Sequence, residues 1–179
     1  INNYMNRIEL QQAHQDLLAP YYSYLEYAAT LTIKPYATIH TEHLLSLGQM
    51  FALNEDILKS TLRYFTANLT RYLYGNDAKK LHKQHYAKPL LFFVVEGVNS
   101  YKLEHLHIAL GNVPDHKKAD IEQLIKAAWA QCDFANQQVK VEPIYNAAGW
   151  TSYITKEIGF ENNDALYIVD CVIPQICRT

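Results

Sequence analysis

The spacing of apolar and polar positions divides the chain into helical and strand-like segments. From Ile1 to Leu18 the apolar members Ile8, Ala13, Leu17 and Leu18 recur at helical spacing, and Pro20 ends the segment. Tyr24 to Ile33 reads as a strand, finishing in Ala29-Thr30-Leu31-Thr32-Ile33 before Lys34-Pro35 breaks it. Thr41 is a candidate N-cap for a helix from Glu42 to Leu53. Asn54 can cap a second one running to about Tyr74, which Gly75-Asn76 closes. Leu90 to Val98 is strongly strand-like, Asn99-Ser100 has turn composition, and Lys102 to Leu110 is another strand, so the two predict an antiparallel hairpin. Asp115 can cap a helix from His116 to Cys132, with Ile121, Leu124, Ile125, Ala128 and Trp129 facing inward. Gln138 to Ile144 reads as a strand, Asn146 as the cap of a helix from Ala147 to about Ile158, and Ala165 to Ile173 as a last strand.

The order β-α-β-β-α-β, followed by a helix and a strand, predicts an α+β fold: an antiparallel sheet with helices packed on one face. A length of 179 residues with 49% hydrophobic content suits one domain over 1–179, with residues 1–20 as an N-terminal helical extension. No internal repeat, low-complexity stretch or linker interrupts it.

Composition narrows the function classes. No apolar run reaches membrane-spanning length, since Pro89-Leu90-Leu91-Phe92-Phe93-Val94-Val95 stops at Glu96, so no membrane partner is expected. No secretory signal is visible. Three cysteines without metal-ligand spacing point to a reduced intracellular protein, and a start at Ile1 reads as a processed or excised piece of something longer. The formal net charge of -2 argues mildly against a general nucleic-acid coat. Lys79, Lys80, Lys83 and Lys88, with His82 and His85 among them, still make a local basic stretch. It reads equally as a solvated loop and as a phosphate-contacting surface. Most of the fourteen tyrosines are expected at the core edge.

The candidate chemistry centres on Leu103-Glu104-His105-Leu106-His107-Ile108. On a strand His105 and His107 project from one face while Leu106 and Ile108 pack behind them. Two adjacent imidazoles form half a metal site, although eight histidines make a chance His-x-His pair common. Glu96 ends the preceding strand, and in a hairpin its carboxylate reaches the imidazoles. Two nitrogens and one hard oxygen suit Mg²⁺ or Mn²⁺ with positions left open for a substrate phosphate, and the same set also binds Zn²⁺. A solvated Glu at a strand end is the bland alternative. Farther on, Tyr153 and Lys156 are three residues apart on one helix face, while Trp150, Ile154 and Ile158 form the row that anchors the helix. A phenol beside an ammonium and a metal ionises more readily and can act as a nucleophile. The competing reading is an amphipathic helix with a surface lysine.

Taken in order, Leu31-Thr32-Ile33-Lys34-Pro35 at a strand end, the His-Leu-His strand, and Tyr-Ile-Thr-Lys on a helix resemble the three motifs of the HUH endonuclease superfamily. The similarity covers Thr30 to Lys156 and is greatest to the single-tyrosine initiators of rolling-circle replication. It implies an RRM-like or ferredoxin-like antiparallel sheet with the histidines at its centre and Glu96, His105 and His107 as ligands of a divalent metal. It further implies nicking and joining of single-stranded DNA at an origin or hairpin: Tyr153 attacks the phosphorus to give a 5′-phosphotyrosine, and Lys156 balances charge on the phosphate or tyrosinate. Tyr145 falls before this helix, so one nucleophile is expected. No Gly-x-x-x-x-Gly-Lys-[Ser/Thr] loop follows, so a helicase would come from the host or a fused domain. The setting implied is the bacterial cytoplasm, or a host nucleus for a viral protein.

Three other readings compete. A transposase or relaxase would share the chemistry. A non-catalytic RRM-like module would stack bases on its tyrosines, although the RNP aromatic pattern is absent. A metal-dependent hydrolase would activate water and leave Tyr153 idle.

Overall fold

The computed structural model describes residues 6–39, 49–96, 105–156, 158, 166 and 170–177. The first helix, α1 (Arg7–Leu18), starts at a capping box in which the Asn6 side chain accepts from the Glu9 backbone N–H and the Glu9 carboxylate accepts from Asn6 N–H. A 3₁₀ turn over Ala19–Tyr24 follows, with Pro20 in its first turn, and leads into β1 (Leu25–Ile33). Two short strands, β2 (Tyr36–Thr38) and β3 (Met50–Ala52), pair antiparallel. The expected helix over 42–53 therefore does not extend through Met50–Ala52, and its proposed cap Thr41 lies outside the described residues.

The long helix α2 (Glu55–Tyr74) has the expected ends. The Asn54 side chain accepts from Ile57 N–H at 2.9 Å, and Gly75 stops the helix at φ 54°. Then come β4 (Leu90–Glu96), β5 (His105–Gly111), α3 (Ile121–Ala130), β6 (Ala135–Pro143) and α4 (Ala147–Ile154). The turn expected at Asn99-Ser100 lies outside the described residues. Several boundaries move: Asp115–Asp120 form a 3₁₀ turn before α3, which ends at Ala130, β6 starts at Ala135 rather than Gln138, and α4 ends at Ile154. The expected last strand is reduced, among the described residues, to two isolated bridges, Val94 to Leu166 and Leu91 to Val172.

The sheet is antiparallel throughout, in the order β4-β5-β1-β6. With β1, α2, β4, β5, α3 and β6 as the core units, this is the ferredoxin-like and RRM-like arrangement. On one face Leu91, Phe93, Leu106, Ile108, Leu31 and Ile33 meet Leu62, Phe65 and Leu69 of α2 and Ile125 and Trp129 of α3. Phe65 stacks edge-on against both Phe93 and Trp129.

The opposite face is not bare, contrary to the expectation of helices on one side. Leu90, Phe92, Val94 and Ala109 pack with Leu18 of α1 and with Ile154 and Ile158 in and beyond α4. This second layer explains the unbroken apolar run Leu90–Val95, buried on both faces. It also leaves α4 lying over the sheet beside the histidine strand.

Candidate active site

Sheet register brings the site together first. In β5, His105 lies opposite Glu96 of β4 and Thr32 of β1; two residues on, His107 lies opposite Val94 and Thr30. Residues two apart share a face, so Glu96, His105, His107, Thr30 and Thr32 all belong to the face covered in part by α4. Leu106 and Ile108 between them are fully buried against α2 and α3, which fixes that orientation.

Helix α4 brings the second half. The Asn146 side chain accepts from Gly149 N–H at 2.9 Å. The hydroxyls of Thr151 and Thr155 each donate to a carbonyl four residues back, at 2.8 Å. Ile154 and Ile158 are fully buried and Trp150 packs beside them, so the anchoring row reads as expected. That burial holds Tyr153 over the sheet. Its ring lies 6.3 Å from the His107 ring, centroid to centroid, at 83°. Lys156, in the turn after the helix, places Nζ 3.9 Å from the Tyr153 ring centroid and 3.4 Å from Glu96 Oε1. Glu96 Oε2 lies 3.1 Å from His107 Nε2, and the Thr30 hydroxyl 3.1 Å from His107 Nδ1.

Four residues thus meet: Glu96 of β4, His107 of β5, Tyr153 of α4 and Lys156 of the turn that follows it. The imidazole and carboxylate are nearly buried, with side chains 9% and 13% exposed, whereas Tyr153 is 56% exposed. The result is a sunken acid–base pair with a phenol and an ammonium on its rim.

Burial works to raise the Glu96 pKa, but the His107 contact and the charges of His107 and Lys156 outweigh it, and the carboxyl is held below its ordinary value. For Lys156 burial works to lower the pKa; contact with the Tyr153 phenol and attraction to Glu96 outweigh it and hold the ammonium above its ordinary value. The carboxylate and the ammonium are therefore both charged at neutral pH.

His107 Nε2 and Glu96 Oε1 are shielded from solvent without a well-formed hydrogen bond, despite their ion-pair distances. Two atoms that can offer lone pairs, an imidazole nitrogen and a carboxylate oxygen, suit a divalent cation. If Nδ1–H donates to Thr30, Nε2 is left with its lone pair free for a metal, the usual arrangement for a metal-binding histidine. His105 stands beside the pair on the same face, but among the described residues no three His, Cys, Asp or Glu side chains converge as a metal cluster. Glu96 leans diagonally toward His107 rather than straight across to His105.

The sequence reading missed two contributors. Thr30 lies in a segment whose residues read only as a strand, yet its hydroxyl meets the imidazole. The α1 helix, read as an extension, ties down the end of α4. Gln11 Nε2 donates to the carbonyls of Lys156 (2.9 Å) and Ile158 (3.1 Å), Arg7 donates to Lys156 (3.1 Å), and Gln15 to the Thr155 hydroxyl (3.1 Å). The one-turn spacing of Gln11 and Gln15 was the available signal. No protein-family model and no curated protein matches the chain.

Proposed function

We propose that the protein nicks and rejoins single-stranded DNA through Tyr153, in the manner of the single-tyrosine HUH initiators of rolling-circle replication. The observation that carries this reading is the meeting of an exposed tyrosine, Tyr153, with His107 across 46 residues of chain, with Lys156 and Glu96 beside them. An amphipathic surface helix gives no reason for that convergence.

The chemistry assigns one task to each group. Glu96 and His107, with His105 adjacent, would hold a divalent cation, which when bound polarises the scissile phosphate. Thr30 orients the His107 ring. The Tyr153 hydroxyl oxygen attacks phosphorus and gives up its proton; a bond forms to the 5′-phosphate, the bond to the 3′-oxygen breaks, and that oxygen leaves as a protonated hydroxyl. Lys156 supplies positive charge beside the phenol and the phosphate as negative charge develops. Phosphodiester energy is retained in the phosphotyrosine, so attack by a 3′-hydroxyl reverses the step without ATP.

Cleavage of labelled origin-like hairpins with Mn²⁺ tests the proposal. His107→Ala should lose cleavage by on the order of 100-fold or more while retaining DNA binding. Cleavage at wild-type rate in that variant removes the site from the reaction.

A further inference from the structure

The basic stretch from Lys79 to Lys88 separates into two sets. Asp77 holds Lys80 at 2.7 Å and Lys83 at 2.9 Å, which neutralises that pair in part. Lys79 and Lys88 have no carboxylate partner among the described residues. They line, with Arg71, Thr66, Thr70 and Val172, a groove of about 390 Å³ at the C-terminal end of α2. Among the described residues no Asp or Glu lines that groove, in a chain whose formal charge is -2.

Arg71 is held in place without a carboxylate partner among the described residues. Arg71 Nη2 donates to the neutral Asn68 side chain at 3.1 Å and the guanidinium lies over the Tyr72 ring. The Lys88 carbonyl accepts from the Tyr74 hydroxyl at 2.9 Å and from Asn112 Nδ2 at 2.6 Å, so the backbone that carries this lysine is fixed. The Thr66 hydroxyl is withdrawn from solvent with no hydrogen-bond partner among the described residues. Rotation about χ1 exchanges it with its own methyl, and threonine populates two such rotamers on a helix. The remaining wall is largely aliphatic, as lysine stems beside small residues would make it.

We propose that this groove binds the phosphodiester backbone of nucleic acid, as a second anchor remote from Tyr153. The proposal rests on DNA being the substrate of the site described above. Val172 exchanges backbone hydrogen bonds with Leu91, five residues along β4 from Glu96. The groove lies against α2, on the sheet face opposite Glu96, and at about 3.4 Å per residue those five residues alone span ~17 Å. A strand reaching both must extend several nucleotides beyond the scissile phosphate, so the groove selects for length and not for sequence.

The test is fluorescence anisotropy with a 5′-labelled single strand of about 20 nucleotides, titrated over a range of NaCl. Lys79→Ala/Lys88→Ala should raise Kd on the order of tenfold and reduce the slope of log K against log salt by about 1.4, at about 0.7 per lost phosphate contact on single strands. Lys80→Ala/Lys83→Ala, tied to Asp77 in the wild type, should shift Kd by less than about twofold. Circular dichroism checks that both variants fold. Equal Kd and slope in Lys79→Ala/Lys88→Ala and wild type, an equal loss in the two double variants, or no DNA binding by wild type overturns the proposal. Covalent adduct formation, measured in parallel at saturating DNA, separates the two claims: a wild type that binds through the groove yet forms no adduct leaves the groove standing and sinks the nicking reaction.

Discussion

The hydroxyl of Thr30 lies 3.1 Å from Nδ1 of His107, and Nε2 of the same ring faces Glu96. One strand thus orients a group on its neighbour, and the far nitrogen is the one left for chemistry. Thr30→Val keeps the shape of the side chain and removes the hydroxyl. Isothermal titration with Mn²⁺ should show affinity reduced about 10- to 100-fold, the usual effect of deleting the partner that orients a metal-binding histidine. Unchanged affinity would mean that the ring needs no such partner.

Gln11 ties α1 to the turn that carries Lys156. Gln11→Ala removes two hydrogen bonds to carbonyls at the end of α4. The expected loss is about 1 kcal/mol, or ~2–4 °C in Tm. The mobility it gives the Tyr153–Lys156 turn should also slow DNA cleavage more than it weakens DNA binding. Cleavage and binding that fall in equal proportion would assign Gln11 to stability alone.

Two glycines should respond for different reasons. A Cβ on Gly111 would lie 2.0 Å from the Tyr24 carbonyl oxygen, so Gly111→Ala must push β5 away from the 3₁₀ turn that leads into β1. About 1–3 kcal/mol of destabilisation is expected, seen as a Tm lower by ~3–10 °C. Gly75 has open space around it, and its cost to alanine comes only from φ 54°. At ψ -129° this backbone lies outside the left-handed helical well, so Gly75→Ala should lose about 1–3 kcal/mol. A Gly111→Ala variant that melts at the wild-type Tm would contradict the packing at Gly111.

Glu96 gives a pH dependence of definite sign. Its folded pKa is lowered, so the stability from its ionised form is fully present above the unfolded value of 4.5 and is lost as pH falls through the folded value. Wild-type Tm should fall as pH drops below about 4.5, and Glu96→Gln should flatten part of that fall. Parallel curves for the two proteins would show that the carboxylate is not stabilised in the fold.

Much of the fold was legible because local signals agreed with tertiary ones. Asn54 and Gly75 marked both ends of α2, and the apolar residues flanking His105 and His107 fixed which way the imidazoles point. Met50–Ala52 was not legible: three residues show no period, and their pairing with Tyr36–Thr38 is a tertiary event. The 3₁₀ turn before α3 is stabilised by Lys118, which bridges Asp115 to Glu26 of β1, a partner distant in sequence. At α4, Thr155 bonds back to the Thr151 and Ser152 carbonyls, and the helix stops before Lys156. The candidate site was legible as separate motifs, but its spatial order was not. Nothing in the spacing of Glu96, His105 and His107 said that Glu96 would lean toward His107 and meet Lys156.

The central claim is that Tyr153 is the nucleophile. Its most direct measurement is to incubate the protein with a 5′-labelled and a 3′-labelled hairpin in Mn²⁺, isolate any SDS-resistant adduct, and identify the modified residue by peptide mass spectrometry. The expected result is an adduct that keeps the 3′ label, a phosphotyrosine on Tyr153, no adduct with Tyr153→Phe, and a wild-type amount with Tyr145→Phe. An adduct undiminished in Tyr153→Phe, or none from the wild type across a panel of hairpins, would contradict the account.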